Sequence, residues 1–117
     1  MEKIKIFNKN EFNDIKKFQK ENKLTNNALF NAWYEDKNPF CYCVIKNDKI
    51  ICIVLLSHCD FSDKKYILNY IYTLKNYRRQ GYAFKLVNYI KHKINFSVFC
   101  MNYESKKLFE KCGLFKM

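Results

Sequence analysis

The stretch Tyr72-Thr73-Leu74-Lys75-Asn76-Tyr77-Arg78-Arg79-Gln80-Gly81-Tyr82-Ala83 decides how this chain is read. Upstream, Lys65–Leu74 is rich in Tyr and Ile, as a β-strand is. Downstream, Ala83, Leu86, Val87, Ile90 and Ile94 recur at helical spacing, with Lys85, Asn88 and Lys91 on the other side. The stretch is a strand, a turn and a helix opened by Gly81. Such a junction aims several backbone N–H groups at one point, and the helix dipole adds partial positive charge, which suits a phosphate or pyrophosphate. Gly81 leaves out a Cβ where a phosphate would approach, Ala83 keeps the next position small, and Arg78 and Arg79 carry charges that fork onto phosphate oxygens. An ordinary solvated helix start, with Gly81 serving the turn, fits these residues as well.

Outward from this point the chain alternates element types. Ile4-Lys5-Ile6 is a short strand. Asn10 is placed to cap a helix carrying Phe12, Ile15 and Phe18, and Thr25 or Asn26 to start a second with Leu29, Phe30 and Trp33 on one side. Pro39 ends that helix. Phe40–Lys46 and Lys49–Ser57, joined by Asn47-Asp48, read as an antiparallel hairpin. A loop, Cys59–Lys64, leads to the strand Lys65–Leu74. Asn95–Met101 is a further strand, and Tyr103–Cys112 is a last helix stopped by Gly113. The order β-α-α-β-β-β-α-β-α predicts one α/β (α+β) domain over residues 1–117, a mixed sheet flanked by helices.

Composition narrows the function classes. Gly and Pro together are three residues and 49% of the chain is hydrophobic, which excludes collagen-like and disordered chains. The longest apolar run, Ile50–Leu56, is far short of the ~20 residues that span a bilayer. Met1–Lys5 has no apolar signal core, so an intracellular, cytoplasmic protein is expected. The net charge is +11, and all but two of the 22 basic residues are lysines. Abundant Lys, Asn, Ile, Phe and Tyr point to an AT-rich coding genome, which accounts for much of that charge. The alternative is an anionic partner. Lysine scattered along the chain disfavours nucleic acid, whose binders concentrate arginine. Cys41, Cys43, Cys52, Cys59, Cys100 and Cys112 lack metal-site spacing and read as buried free thiols.

Arg78-Arg79-Gln80-Gly81-Tyr82-Ala83 resembles the R/Q-x-x-G-x-G/A acetyl-CoA loop of the GCN5-related N-acetyltransferase (GNAT) superfamily. Asn102-Tyr103-Glu104-Ser105-Lys106-Lys107-Leu108-Phe109-Glu110-Lys111-Cys112-Gly113-Leu114 is similar to that family's N-x-x-A/S-x-x-L-Y-x-x-x-G-F motif, one βα unit downstream. Cys43–Ile51 matches its second and third strands. The resemblance spans the chain and implies a transferase using acetyl-CoA or another acyl-CoA. It implies that the amides of Arg79, Gln80, Gly81, Tyr82, Ala83 and Phe84, with Arg78, cradle the pyrophosphate. Main-chain groups of Ile71, Tyr72 and Thr73 would hold the pantetheine arm, and Asn102 and Phe109 would contact the cofactor. Trp33, Tyr34 and Glu35, with Asp36, fall on the acceptor-binding helix–loop, and Asn69 faces the acceptor as well. The acceptor would be an amine, on a small molecule or a peptide.

Three positions depart from the pattern. The usual acid is Phe109, the strand-4 carboxylate falls at Asn69, and a strand-5 Glu falls at Ser97; none of these titrates. Three readings compete: proton transfer through water with an unassisted thiolate; a substitute acid among Tyr70, Tyr72 and Tyr103; or a catalytically silent domain that binds CoA or a protein partner. The family also continues for two more strands after its last helix. An early end leaves a sheet edge that a second copy would complete as a homodimer.

Overall fold

The sheet grows outward from a tight hairpin. Asn47 and Asp48 both take positive φ, 52° and 61°, the geometry that turns a strand back on itself in two residues. They join β2 (Phe40–Lys46) to β3 (Lys49–His58). The computed structural model describes residues 2–60, 64–98 and 103–114. The other elements are β1 (Glu2–Asn8), α1 (Asn13–Glu21), α2 (Ala28–Tyr34), β4 (Tyr66–Thr73), α3 (Tyr82–Lys91), β5 (Phe96–Val98) and α4 (Tyr103–Lys111). The strands lie in the order β1-β2-β3-β4-β5. Only β4 and β5 run parallel, because α3 carries the chain back across the sheet between them.

Alternation along the strands divides the core into two layers. Tyr42 meets Tyr89 of α3, and its register partner is Val54. The next residue, Ile53, pairs with Tyr72, whose ring meets Phe18 of α1. One face is therefore covered by α1 and α2, the other by α3, whose Leu86, Val87 and Ile90 are buried. Cys41, Cys43, Cys52 and Cys112 are buried free thiols. No helix among the described residues is long and apolar enough to cross a membrane.

Element ends differ from expectation for local reasons. Asn10 caps nothing. It sits inside a 3-10 turn, Lys9–Glu11, and the Asn8 amide donates to Glu11 Oε1 at 3.2 Å, so α1 starts only at Asn13. The second helix is capped by Asn27, whose Oδ1 accepts from the Phe30 amide at 2.9 Å, rather than by Thr25 or Asn26. Ile94 lies beyond α3 and is half-buried. Phe99–Met101, expected to extend β5, lie outside the described residues.

Candidate active site

The strand–helix junction is built from two left-handed residues. After β4, the 3-10 turn Lys75–Tyr77 is closed by the Tyr77 amide donating to the Leu74 carbonyl at 2.8 Å. Arg79 then takes φ 62° and Gly81 φ 83°. The first helical bond runs from the Lys85 amide to the Gly81 carbonyl at 2.9 Å. Among the described residues no acceptor meets the amides of Arg79, Gln80, Gly81, Tyr82, Ala83 or Phe84. A Cβ placed on Gly81 would meet nothing within 4 Å, so the space beside this residue is open. A run of unpaired donors at a helix N-terminus, with no side chain in the way, fits a pyrophosphate.

The charges around this cradle are unevenly disposed. Arg79 is exposed. Arg78 is turned back: its Nε donates to the Thr73 carbonyl at 2.9 Å and its guanidinium lies 5.3 Å from the Tyr72 ring centre. Gln80 Nε2 is held by the Asn76 carbonyl at 3.0 Å. Lys46, from the end of β2, donates to the Tyr82 hydroxyl at 3.3 Å and lies 5.9 Å from the rings of Tyr77 and Tyr82. Sequence reading missed Lys46, because only the folded sheet brings it beside α3. Ala83 and Phe84 are half-buried, and Lys111 Nζ lies 5.0 Å from the Phe84 ring centre.

Next to the cradle lies the end of β4. Among the described residues β5 pairs with β4 at Tyr66, Ile67 and Leu68. There the β3–β4 register slips: Leu55 faces Tyr70 and Leu56 faces Leu68, so Asn69 is the extra residue of a bulge. Beyond it, Tyr70, Ile71, Tyr72 and Thr73 pair with β3 alone among the described residues. Phe109 is 2% exposed and packed in the core. Asn102 lies outside the described residues, and Tyr103 enters only as the first residue of α4.

Around the bulge, on the α1–α2 side, stand the candidate polar groups. Tyr70 accepts from Asn27 Nδ2 at 3.3 Å and is half-buried. Burial, helped by the neighbouring Tyr72, pushes its pKa up, against smaller opposing effects of Asn27 and Arg78, so it stays protonated at neutral pH. Tyr72 stacks on Tyr70 with ring centres 6.5 Å apart. Ser97 is paired in register with Ile67.

The acceptor-side residues fall into two groups. Trp33 is fully buried, with Nε1 donating to the Leu56 carbonyl at 2.7 Å and the Phe40 carbonyl at 3.2 Å, so its indole is a core pin rather than an acceptor contact. Tyr34 donates to Gln19 Oε1 at 3.1 Å, and burial, with a smaller effect of Cys41, raises its pKa to about 12. Glu35 is exposed. Its neighbour Asp36 instead turns inward: Ser57 Oγ donates to Asp36 Oδ2 at 3.3 Å, and Asn69 Nδ2 donates to Ser57 Oγ at 2.8 Å. Ser57 was unmarked in the sequence apart from being the first polar residue after the Ile50–Leu56 run.

A mixed sheet with a bulge in β4, followed by a helix N-terminus with bare amides, matches an acyl-CoA-transferase fold. Residues 9–114 match the Acetyltransferase (GNAT) family, and the chain belongs to it. No sequence of a curated protein matches the chain. Solved structures share its fold at low identity. Aminoglycoside N-acetyltransferase AAC(6')-Iy, bound to the bisubstrate analogue CoA-S-monomethyl-acetylneamine, superposes with a TM-score of 0.71 at 13% identity, covering 99% of this chain and 92% of that one. The aminoglycoside 6'-N-acetyltransferase AAC(6')-IG from Acinetobacter haemolyticus gives 0.65 at 15% identity, covering 98% and 92%. Ribosomal-protein-alanine N-acetyltransferase from Brucella melitensis biovar Abortus 2308 gives 0.65 at 10% identity, covering 94% and 89%.

Proposed function

We propose that the protein is an N-acetyltransferase that moves an acetyl group from acetyl-CoA to an amine by direct attack. The observation that carries this reading is the run of amides from Arg79 to Phe84 that no described residue accepts from, with open space at Gly81, a few residues beyond the end of β4. Acetyl-CoA supplies a thioester whose carbonyl carbon the amine attacks. The amides of residues 79–84 bind its pyrophosphate, and Arg79 and Lys46 add charge there. The edge of Ile71, Tyr72 and Thr73 accepts and donates main-chain hydrogen bonds along the pantetheine arm. For that arm to reach Thr73, Arg78 gives up its bond to the Thr73 carbonyl and turns to the phosphates. A backbone N–H at the bulge polarises the carbonyl and stabilises the developing oxyanion. The half-buried Tyr70 and Tyr72, and Tyr103 at the start of α4, are the candidate acids for the departing thiolate, because Phe109 has no proton to give. The small-molecule amines named for the aminoglycoside enzymes support an acceptor of that kind.

A second reading is a silent domain that binds CoA. It is favoured by one observation: Asn69, Ser97 and Phe109 leave the family's acid–base positions without a titrating group. Incubation with acetyl-CoA and a panel of polyamines, aminoglycosides, amino acids and peptides separates the two. Amine-dependent release of CoA thiol, matched mole for mole by acetylated amine, is expected. Tight CoA binding with no transfer to any of them supports the silent domain.

A further inference from the structure

Among the described residues β1 ends the sheet on the side away from β5, paired with β2 from Glu2 to Asn8. An outermost strand turns a row of main-chain N–H and C=O groups away from the sheet, a template for one more strand. The two faces of β1 differ in chemistry. Ile4 and Ile6 pair in register with Val44 and Tyr42, and Tyr42 meets Tyr89, so they stand on the α3 face. Lys3, Lys5 and Phe7 alternate with them on the α1 face, where Lys5 Nζ lies 4.7 Å from the Phe7 ring centre. Both lysines are exposed.

The α3 face carries apolar surface into solvent at this edge. Ile6 is 44% exposed and Tyr89 39%, the exposed large hydrophobic residues of the described chain, and both flank Tyr42, one in the sheet and one on α3. From Ile6 and Asn8 the same face continues into a groove of about 710 Å³ with Phe40, Tyr42, Tyr66 and Ile94 among its walls. Charge decides what fits the other face. Glu2, the acid of β1, is held by Lys85 at 2.5 Å. The crevice beside Lys3 and Lys5 adds Lys17 against Asp14 and Asp48, three lysines to two acids, and Lys3 and Lys5 make no ion pair with a described residue. A second copy of β1, paired antiparallel about its middle residue, sets Lys5 against Lys5, and like charges directly opposite repel. Lysine on an edge turns away its own kind and admits a strand that bears acids.

We propose that the β1 edge is a docking surface for an extended segment of another protein in which acidic and apolar residues alternate. Paired antiparallel to β1, the segment sets its acids opposite Lys3 and Lys5 and its apolar residues opposite Ile4 and Ile6, and a large apolar residue opposite Asn8 enters the groove. Main-chain hydrogen bonds hold the segment, and the alternating side chains select it. The surface stands whether or not the chain transfers an acetyl group.

The test titrates the 15N-labelled protein with the peptide acetyl-Trp-Ser-Val-Glu-Val-Glu-amide, and separately with the same peptide carrying Lys for each Glu. Saturable amide shifts over Lys3 to Asn8 and at Phe40 and Tyr42, weakening as salt rises, are expected with the acidic peptide and not with the basic one. The double variant Lys3→Glu, Lys5→Glu is expected to bind the acidic peptide about tenfold more weakly, as two cross-strand attractions become repulsions, and to gain binding of the basic peptide. Both side chains are exposed, and melting temperature reports that the fold is kept. Equal binding of the two peptides, shifts confined to the groove or to residues 79–84, or no shift at residues 3–8 at millimolar peptide overturns the proposal. Signals of β1 that move with protein concentration in the absence of peptide give the edge to a second copy and overturn it as well.

Discussion

Replacing Gly81 separates what the turn needs from what the cofactor needs. Gly81 caps α3 at φ 83°, ψ 7°, and a Cβ added there meets nothing within 4 Å. In the free protein the cost of Gly81→Ala is therefore backbone strain alone, about 1 kcal/mol for a left-handed non-glycine residue. For a chain of 117 residues that lowers Tm by about 4 °C. Asn adopts the left-handed region more readily, so Gly81→Asn costs only a few tenths of a kcal/mol, about 1 °C. Both variants place the same Cβ in the open space beside residue 81. If a pyrophosphate sits there, at least one charge-assisted hydrogen bond is lost, and Kd for CoA rises by about 10- to 100-fold in both. Melting curves and titration calorimetry measure the two effects on the same samples. A melting loss of the expected size with unchanged CoA affinity in both variants refutes the cradle and leaves Gly81 as a turn residue only.

Arg79 is left-handed too, at φ 62°, so Arg79→Gly removes strain and outweighs its own entropy cost by about 0.5 kcal/mol. Melting temperature is expected to hold or rise slightly while calorimetry shows weaker CoA binding through the lost charge. Tyr34 titrates in the folded protein at about 12 against an ordinary 10, so the unfolded chain loses its proton first. Stability from this residue is complete below pH 10 and is lost as pH rises through 12; denaturation against pH is expected to show a shallower alkaline fall in Tyr34→Phe, which also loses about 1 kcal/mol with the Gln19 bond. Phe109→Tyr adds a hydroxyl to a ring 2% exposed, at a cost of about 1 kcal/mol, and is expected to raise kcat by up to ~10²-fold where thiolate departure limits the rate. An unchanged kcat in a transfer assay shows either that thiolate departure does not limit the rate or that another hydroxyl already serves as the acid.

What the sequence made legible is what neighbouring residues decide. The Asn47-Asp48 turn, the Phe40–Lys46 strand and the α3 stripe are local patterns, and they stand where the residues put them. The Asn8-x-x-Glu11 capping box is equally local, and it, rather than Asn10, marks the start of the helical segment. The Asn69 bulge is different, because two residues of β4 against one of β3 is a property of the pair. The site's polar contacts are also long-range. Ser57 meets Asp36 across 21 residues, and Lys46 meets Tyr82 across 36. The family resemblance, not a local pattern, put Trp33 and Glu35 among the acceptor contacts; the helix turns Trp33 into the core and leaves Glu35 in solvent, and the inward carboxylate is the next residue, Asp36.

The central claim is that CoA lies against the amides at the start of α3. Amide resonances of the 15N-labelled protein, followed to saturation with CoA, test it most directly. The account predicts large downfield shifts at Arg79 to Phe84 as these unpaired N–H groups bond the pyrophosphate, with smaller shifts along Tyr70 to Thr73. Shifts confined to the opposite end of β4, in the apolar groove between Ile6, Tyr42, Tyr66 and Ile94, or no shift at residues 79–84 at saturating CoA, would contradict it.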